Sequence, residues 1–258
     1  MRKVRRVLTG AGRALSPRQM RDENGLLVGW GLGTAVFPAV MFQGQARALL
    51  RRDRTGLVEL GAQDMGQGAW TALAQIAADS LGLELEQLEF QSGSSDLPDA
   101  GIAGGSSHTA TAGMAIHSAG AEVIAKLAEL AMGDERSPLF GAGNAGVLAR
   151  GGRLYRRDDE SRSESYADIP ARAGVAEIEG RGCGAECVCH ARARHRVRRD
   201  EGGSGAGTDQ DNASGRRLAA GTIINSRLVR SQYYGGMIWV SPSRCTNGPC
   251  WIRGQAGS

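Results

Sequence analysis

Apolar residues over positions 22–42 are interleaved with glycines. Leu26, Leu27, Val28, Trp30, Leu32, Ala35, Val36 and Phe37 predict a strand region that Pro38 interrupts. Residues 46–60 alternate weakly, with Ala46, Ala48 and Leu50 before Asp53-Arg54-Thr55-Gly56 and Leu57, Val58 and Leu60 after it. This pattern predicts a β-hairpin with Gly56 supplying the turn. The period then lengthens. Trp70, Leu73, Ala74, Ala77, Ala78 and Leu81 share one helical face, and Gly82 stops that helix. Leu85, Leu88 and Phe90 predict a short strand, followed by a loop, 92–107, rich in Ser, Gly, Asp and Pro. A second helical run, Ala112 to Ala131, carries Ile116, Ala119, Val123, Leu127 and Leu130 on one face and ends at Gly133-Asp134. Strand, Gly turn, helix, strand, Gly loop, helix predicts an α+β fold, a mixed sheet with packed helices.

The pattern loosens after residue 140. Gly151-Gly152-Arg153 predicts a turn between Val147-Leu148-Ala149 and Leu154-Tyr155, and Ser165-Tyr166-Ala167-Asp168-Ile169 predicts the start of a short helix. From 181 to 217 apolar periodicity gives way to Arg, Gly, Cys and His, the composition of a disordered segment. Order is expected again from Leu218, with a helix over 226–239 that Gly235-Gly236 weakens. The tail from Val240 shows no pattern.

Composition narrows the function classes. The 258 residues are 41% hydrophobic and 22% charged, as in a soluble globular protein, and 39 are glycine. The net charge of +4 is mild and comes mostly from arginine, which does not by itself argue for nucleic acid. The run Arg192–Arg199 lacks interleaved aromatics, so no nucleic-acid partner is expected. Met1–Arg6 is basic, but no apolar run of signal-peptide length follows, and no stretch reaches the roughly 18 apolar residues of a membrane span. These features predict a cytoplasmic protein with no membrane partner, or a periplasmic one if it is exported with a partner subunit. Cys183, Cys187, Cys189, His190 and His195 lack the paired Cys-x2-Cys spacing of a zinc site, and no metal ligands are expected. The alternative reading is a non-enzymatic fragment whose basic Cys/His segment binds zinc or nucleic acid.

The chemistry points to two glycine-rich turns, each opening into a helix. One is Gly66-Gln67-Gly68; the other is Gly104-Gly105-Ser106-Ser107-His108-Thr109. The first N–H groups of a helix have no intrahelical partner, and the helix dipole is positive there. Glycines let a ligand approach that backbone. Two such turns predict two donor clusters for an anionic ligand such as a phosphate attached to a heterocycle.

The same stretches resemble a known family, the large, molybdenum-binding subunit of the xanthine dehydrogenase / aldehyde oxidase family. They are Gly29-Trp30-Gly31, Gly61-Ala62-Gln63-Asp64-Met65-Gly66-Gln67-Gly68, Ala74–Gly82, Ala103-Gly104-Gly105-Ser106-Ser107, Ala220–Ser226 and Ser231-Gln232. The resemblance implies a molybdopterin cofactor, as its cytosine dinucleotide, contacted by Met65, Gly66, Gln67 and Gly68 and by Gly104, Gly105, Ser106, Ser107 and His108. Gln232 matches a glutamine near the dithiolene end. It also implies oxidation of aldehydes or N-heterocycles with water as the oxygen source, and iron–sulfur and FAD-binding partner subunits that carry electrons away. It divides the chain into a molybdopterin-binding core at 1–180, an atypical segment at 181–217, a continuation of the domain at 218–239 and an irregular tail at 240–258.

The chain departs from that family at one decisive point. The resemblance implies a glutamate, the general base, shortly after the Gly-Gly segment, but no glutamate follows Glu201. An N-terminal half with a further Gly-rich loop is also expected and not found. The chain alone is therefore expected to bind cofactor without turnover, and no catalytic residue is assigned. The bias of 181–217 is what a GC-rich gene read out of frame produces. Other reading frames are expected to restore alternating strand residues there and a glutamate beyond 240.

Overall fold

The computed structural model describes residues 21, 23–25, 27–143, 146–184, 187–202, 209–218 and 220–245. Two compact units divide the chain: Ala39–His190 form one, and the described residues up to Pro38 and from Ala191 onward form the other.

The larger unit is built on a four-stranded sheet. Strands β2 (Gly44–Arg51) and β3 (Gly56–Leu60) form the expected antiparallel hairpin. The turn differs from the expectation. Arg54 is the residue with positive φ (70°), and Asp53 steadies it by accepting hydrogen bonds from Thr55 N at 2.9 Å and Thr55 Oγ1 at 2.6 Å. Gly56 serves packing instead: a Cβ there would lie 2.7 Å from Leu83 Cδ1.

Helix α1 (Ala69–Leu81) follows β3 and ends, as expected, at Gly82 in the left-handed region. A single 3-10 turn, Leu85–Gln87, leads into β4 (Leu88–Ser92), which runs parallel to β3 with Leu60 opposite Ser92. The following loop opens into α2 (His108–Met132), four residues earlier than the apolar periodicity alone suggested. After α2 come the hairpin β5 (Val147–Arg150) and β6 (Arg153–Arg156), then β7 (Ser163–Ser165) and the short helix α3 (Asp168–Ala173). Gly151 and Gly152, both at positive φ, make the expected hairpin turn. No side chain caps α3, although Ser165 Oγ accepts from Ala167 N at 3.2 Å. Strand β8 (Glu177–Gly184) then returns beside β2, giving the sheet order β4-β3-β2-β8.

The core lies between this sheet and the helices. Leu50, Val58 and Leu60 from the sheet meet Leu73 and Leu81 of α1 and Ile116, Val123 and Leu127 of α2. Strand β8 presents Ile178, Gly180, Gly182 and Gly184 on its buried face. These small residues let the strand lie directly on the backbone of α2: a Cβ on Gly180 would come within 2.4 Å of Ala119 O. The β5–β7 sheet is fastened by Tyr166, whose buried hydroxyl donates to Leu81 O at 2.8 Å. A polar cluster fastens it further. Arg172 donates to Asp134 and to the buried carboxylate of Glu164, and Ser137 Oγ donates to Glu164 at 2.6 Å. Mixed sheet and packed helices together give the expected α+β class.

A second sheet is formed by β1 (Leu27–Met41), β9 (Cys187–Gly202) and β10 (Asp209–Leu218), most of whose residues belong to the smaller unit, in the order β1-β9-β10 with β9 and β10 antiparallel. The segment expected to be disordered, 181–217, thus carries β9 and most of β10. Pro38 sits in β1, an edge strand, where a missing N–H is tolerated. Helix α4 (Ser226–Cys245) continues past the expected end at Trp239, and Asn225 Oδ1 accepts from Leu228 N at 3.0 Å at its start. The end of the irregular tail, 246–258, lies outside the described residues.

Candidate cofactor-binding site

The loops that carry the two glycine turns leave the carboxyl ends of adjacent parallel strands, β3 and β4. Ser92 Oγ ties the strand ends together by donating to Leu60 O and Ala62 O, each at 2.8 Å. The imidazole of His108, at the start of α2, is close enough to Gln63 and Asp64 of the first turn and to Ile102 of the second loop for all three to act on its proton affinity. His108 of the second turn therefore lies near Gln63 and Asp64, just ahead of the first.

The two turns differ in what they leave free. In the first, the Asp64 carboxylate already occupies the amides: Oδ1 accepts from Gly66 N at 2.8 Å and Gly68 N at 3.3 Å, and Oδ2 accepts from Trp70 N at 3.2 Å. Gln67 Oε1 takes Met65 N at 2.6 Å, and Gln67 Nε2 donates to Gln63 O at 3.1 Å. Desolvation raises the Asp64 pKa, but the amides of Gly66, Trp70, Gly68 and Ala69 outweigh it and hold the carboxyl below its usual range. The expectation of two free donor clusters is corrected here, because the first cluster is spent on the chain's own carboxylate. A signal existed: aspartate is a favoured helix-capping residue, and Asp64 stands just ahead of the turn.

The second turn is open. Gly105 and Ser106 are both left-handed, each with φ of 59°, and Ser106 is one of only two non-glycine positive-φ residues among those described. Such strain clusters at binding sites. The buried Ser107 stands at the N-cap but turns its hydroxyl back onto Gly104 O at 2.6 Å, so no side chain caps α2. A side chain built on Gly66 or on Gly105 would meet nothing within 4 Å, so both turns face open space. Met65 and Ile102, 72% and 58% exposed, flank them as apolar rims.

His108 has the most constrained environment at the site. It is only 7% exposed, and neither Nδ1 nor Nε2 has a hydrogen-bond partner. Burial pushes its pKa down, while the Ile102 backbone, the Asp64 charge and the Gln63 backbone oppose that shift without completing a bond. An unpartnered buried imidazole beside an uncapped helix start fits an anionic group, and the glycine openings leave room for one.

The remaining expected site residue lies elsewhere in the chain. Gln232 is exposed on α4, in the smaller unit. Cys183 is exposed on β8, and the side chains of Cys187, Cys189, His190 and His195 are outside the described residues. Among the described residues no group of three His, Cys, Asp or Glu is placed to hold a metal ion, and no helix is long and apolar enough to cross a membrane. Two open surface hollows, one at Gly141–Gly143 and Arg156–Asp158 and one at Glu129–Arg136, contain none of the turn residues.

Fold and site together define a cofactor-holding domain. A family model described as the molybdopterin cofactor-binding domain matches residues 6–202, and the chain belongs to that family. The aldehyde oxidoreductase molybdenum-binding subunit PaoC of Escherichia coli K12 is 36% identical over 104 residues, 40% of this chain and 14% of that protein. Among solved structures, quinoline 2-oxidoreductase from Pseudomonas putida 86 superposes with a TM-score of 0.69 at 21% identity, over 81% of this chain and 29% of that one. Reconstituted CO dehydrogenase from Oligotropha carboxidovorans gives 0.70 at 18% identity, over 82% and 28%. Aldehyde oxidoreductase from Desulfovibrio gigas gives 0.58 at 18%, over 81% and 22%. These matches span less than a third of each relative's length and uphold the resemblance and the fold.

Proposed function

We propose that this chain is the cofactor-holding portion of an aldehyde- or xanthine-type molybdenum hydroxylase and that it takes molybdopterin as the cytosine dinucleotide. The observation that carries this reading is the unpartnered His108 beside the uncapped start of α2, near Gln63 and Asp64. Gly104, Gly105, Ser106, Ser107 and His108 receive the phosphate-bearing part of the ligand. Met65, Gly66, Gln67 and Gly68 bound it from the other side, through shape and side chains rather than amides, because Asp64 already holds those amides. When bound, the group supplies the oxidation–reduction chemistry of the molybdenum centre, and iron–sulfur and FAD-binding subunits accept the electrons. The chain alone has no turnover, because no glutamate follows Glu201 to act as general base.

Expressing the full chain in a host that makes molybdopterin cytosine dinucleotide tests this directly. The purified protein is expected to carry molybdenum and, after acid hydrolysis, CMP in equal amounts, with no aldehyde oxidation. Release of GMP overturns the nucleotide assignment, turnover overturns the inactivity, and absence of both metal and nucleotide overturns the function.

A further inference from the structure

Leaving both nitrogens of a buried imidazole unbonded is costly, so the arrangement at His108 asks for a ligand. His108 opens α2, where the positive end of the helix dipole disfavours a further positive charge. Asp64, from the turn ahead of α1, is the charged group that faces it. Residues 65–71 and 102–116 carry no other titratable side chain. With nothing bound, burial lowers the ring's pKa and the helix end disfavours its protonated form. An anion at the same helix start reverses that balance, since it attracts both the dipole and a protonated ring.

We propose that His108 takes up one proton from solvent when a phosphate-type anion binds at the start of α2, donating one ring N–H to the anion and the other toward the Gln63 backbone, with the Asp64 charge nearby. No covalent bond changes. The inference rests on the cradle reading and adds to it that occupancy of the second turn is tied to pH. His108 is then the residue that lets a buried site accept a charged group without leaving that charge unpaired.

Calorimetry on the full chain tests it, with P,P′-dimethyl diphosphate as the probe because its charge stays constant between about pH 6 and pH 8. Affinity is expected to fall by up to about tenfold per pH unit across this range. The heat of binding is expected to vary with the ionisation enthalpy of the buffer, as uptake of a proton requires. His108→Gln, which keeps a donor but cannot carry the proton, is expected to bind with neither dependence. If that variant does not fold, the buffer dependence of the unmodified chain decides alone. Binding that is independent of pH and buffer overturns proton uptake and leaves the cradle standing. No binding at either pH overturns both.

Discussion

Gly182→Ala is expected to destabilise the chain by about 3 kcal/mol or more, measured as a lower midpoint in urea unfolding. The added Cβ would stand 1.9 Å from Ala115 O and 2.3 Å from Ala119 N. Both atoms are backbone of α2, so no side chain can turn aside to relieve the clash, and strand and helix must separate. Separation would also strip the contact that holds α2 in place, and with it the start of the helix where His108 sits. Gly184→Ala, on the same face of β8, is the control. Its nearest neighbour would be Thr111 O at 3.3 Å, and the expected loss is under about 1 kcal/mol. Equal unfolding midpoints for Gly182→Ala and the unmodified chain would contradict the packing of β8 on α2.

Arg172→Ala is expected to cost about 3 kcal/mol, by a different mechanism. The Glu164 side chain is only 5% exposed, and Arg172 supplies its countercharge while also reaching Asp134 beyond the end of α2. Removing the guanidinium leaves a buried carboxylate with Ser137 Oγ as its remaining donor. Replacing both partners, as in Arg172→Met with Glu164→Gln, removes the charge along with its partner and is expected to recover most of the loss. Urea unfolding at neutral pH of the two single variants and the double variant measures this coupling. A double variant as unstable as Arg172→Ala would show that shape, not charge pairing, fastens the β5–β7 sheet to α2.

The sequence showed the helices more clearly than their surroundings. Leu73, Ala77 and Leu81 repeat on one face and Gly82 ends α1, so period and stop signal agree. Alternation in β3 and β4 marks strands but not their partner, so the parallel pairing from which both loops emerge was not legible. Residues 177–184 carry no apolar alternation that would mark a strand, whereas Gly180 and Gly182 are the contact surface of β8 for α2. The hairpin β9–β10 was missed because Arg192, Arg194, Arg196 and Arg198 alternate with Ala, His and Val, and the Arg and Gly content of 181–217 reads as a disordered composition. At the site, the glycines and His108 stood out in the sequence. The capture of the first turn by Asp64 was signalled only by residue type, since a carboxylate two residues before a glycine has no fixed backbone partner until the loop closes around it.

Hydrogen exchange on the full chain, with and without bound molybdopterin cytosine dinucleotide, tests the cradle most directly. Cofactor is expected to slow exchange at the amides of 105–110, and to a smaller degree at 65–70, where Asp64 already engages Gly66, Gly68 and Trp70. Bound cofactor with unchanged exchange at 105–110 would place it elsewhere on the chain and contradict the account.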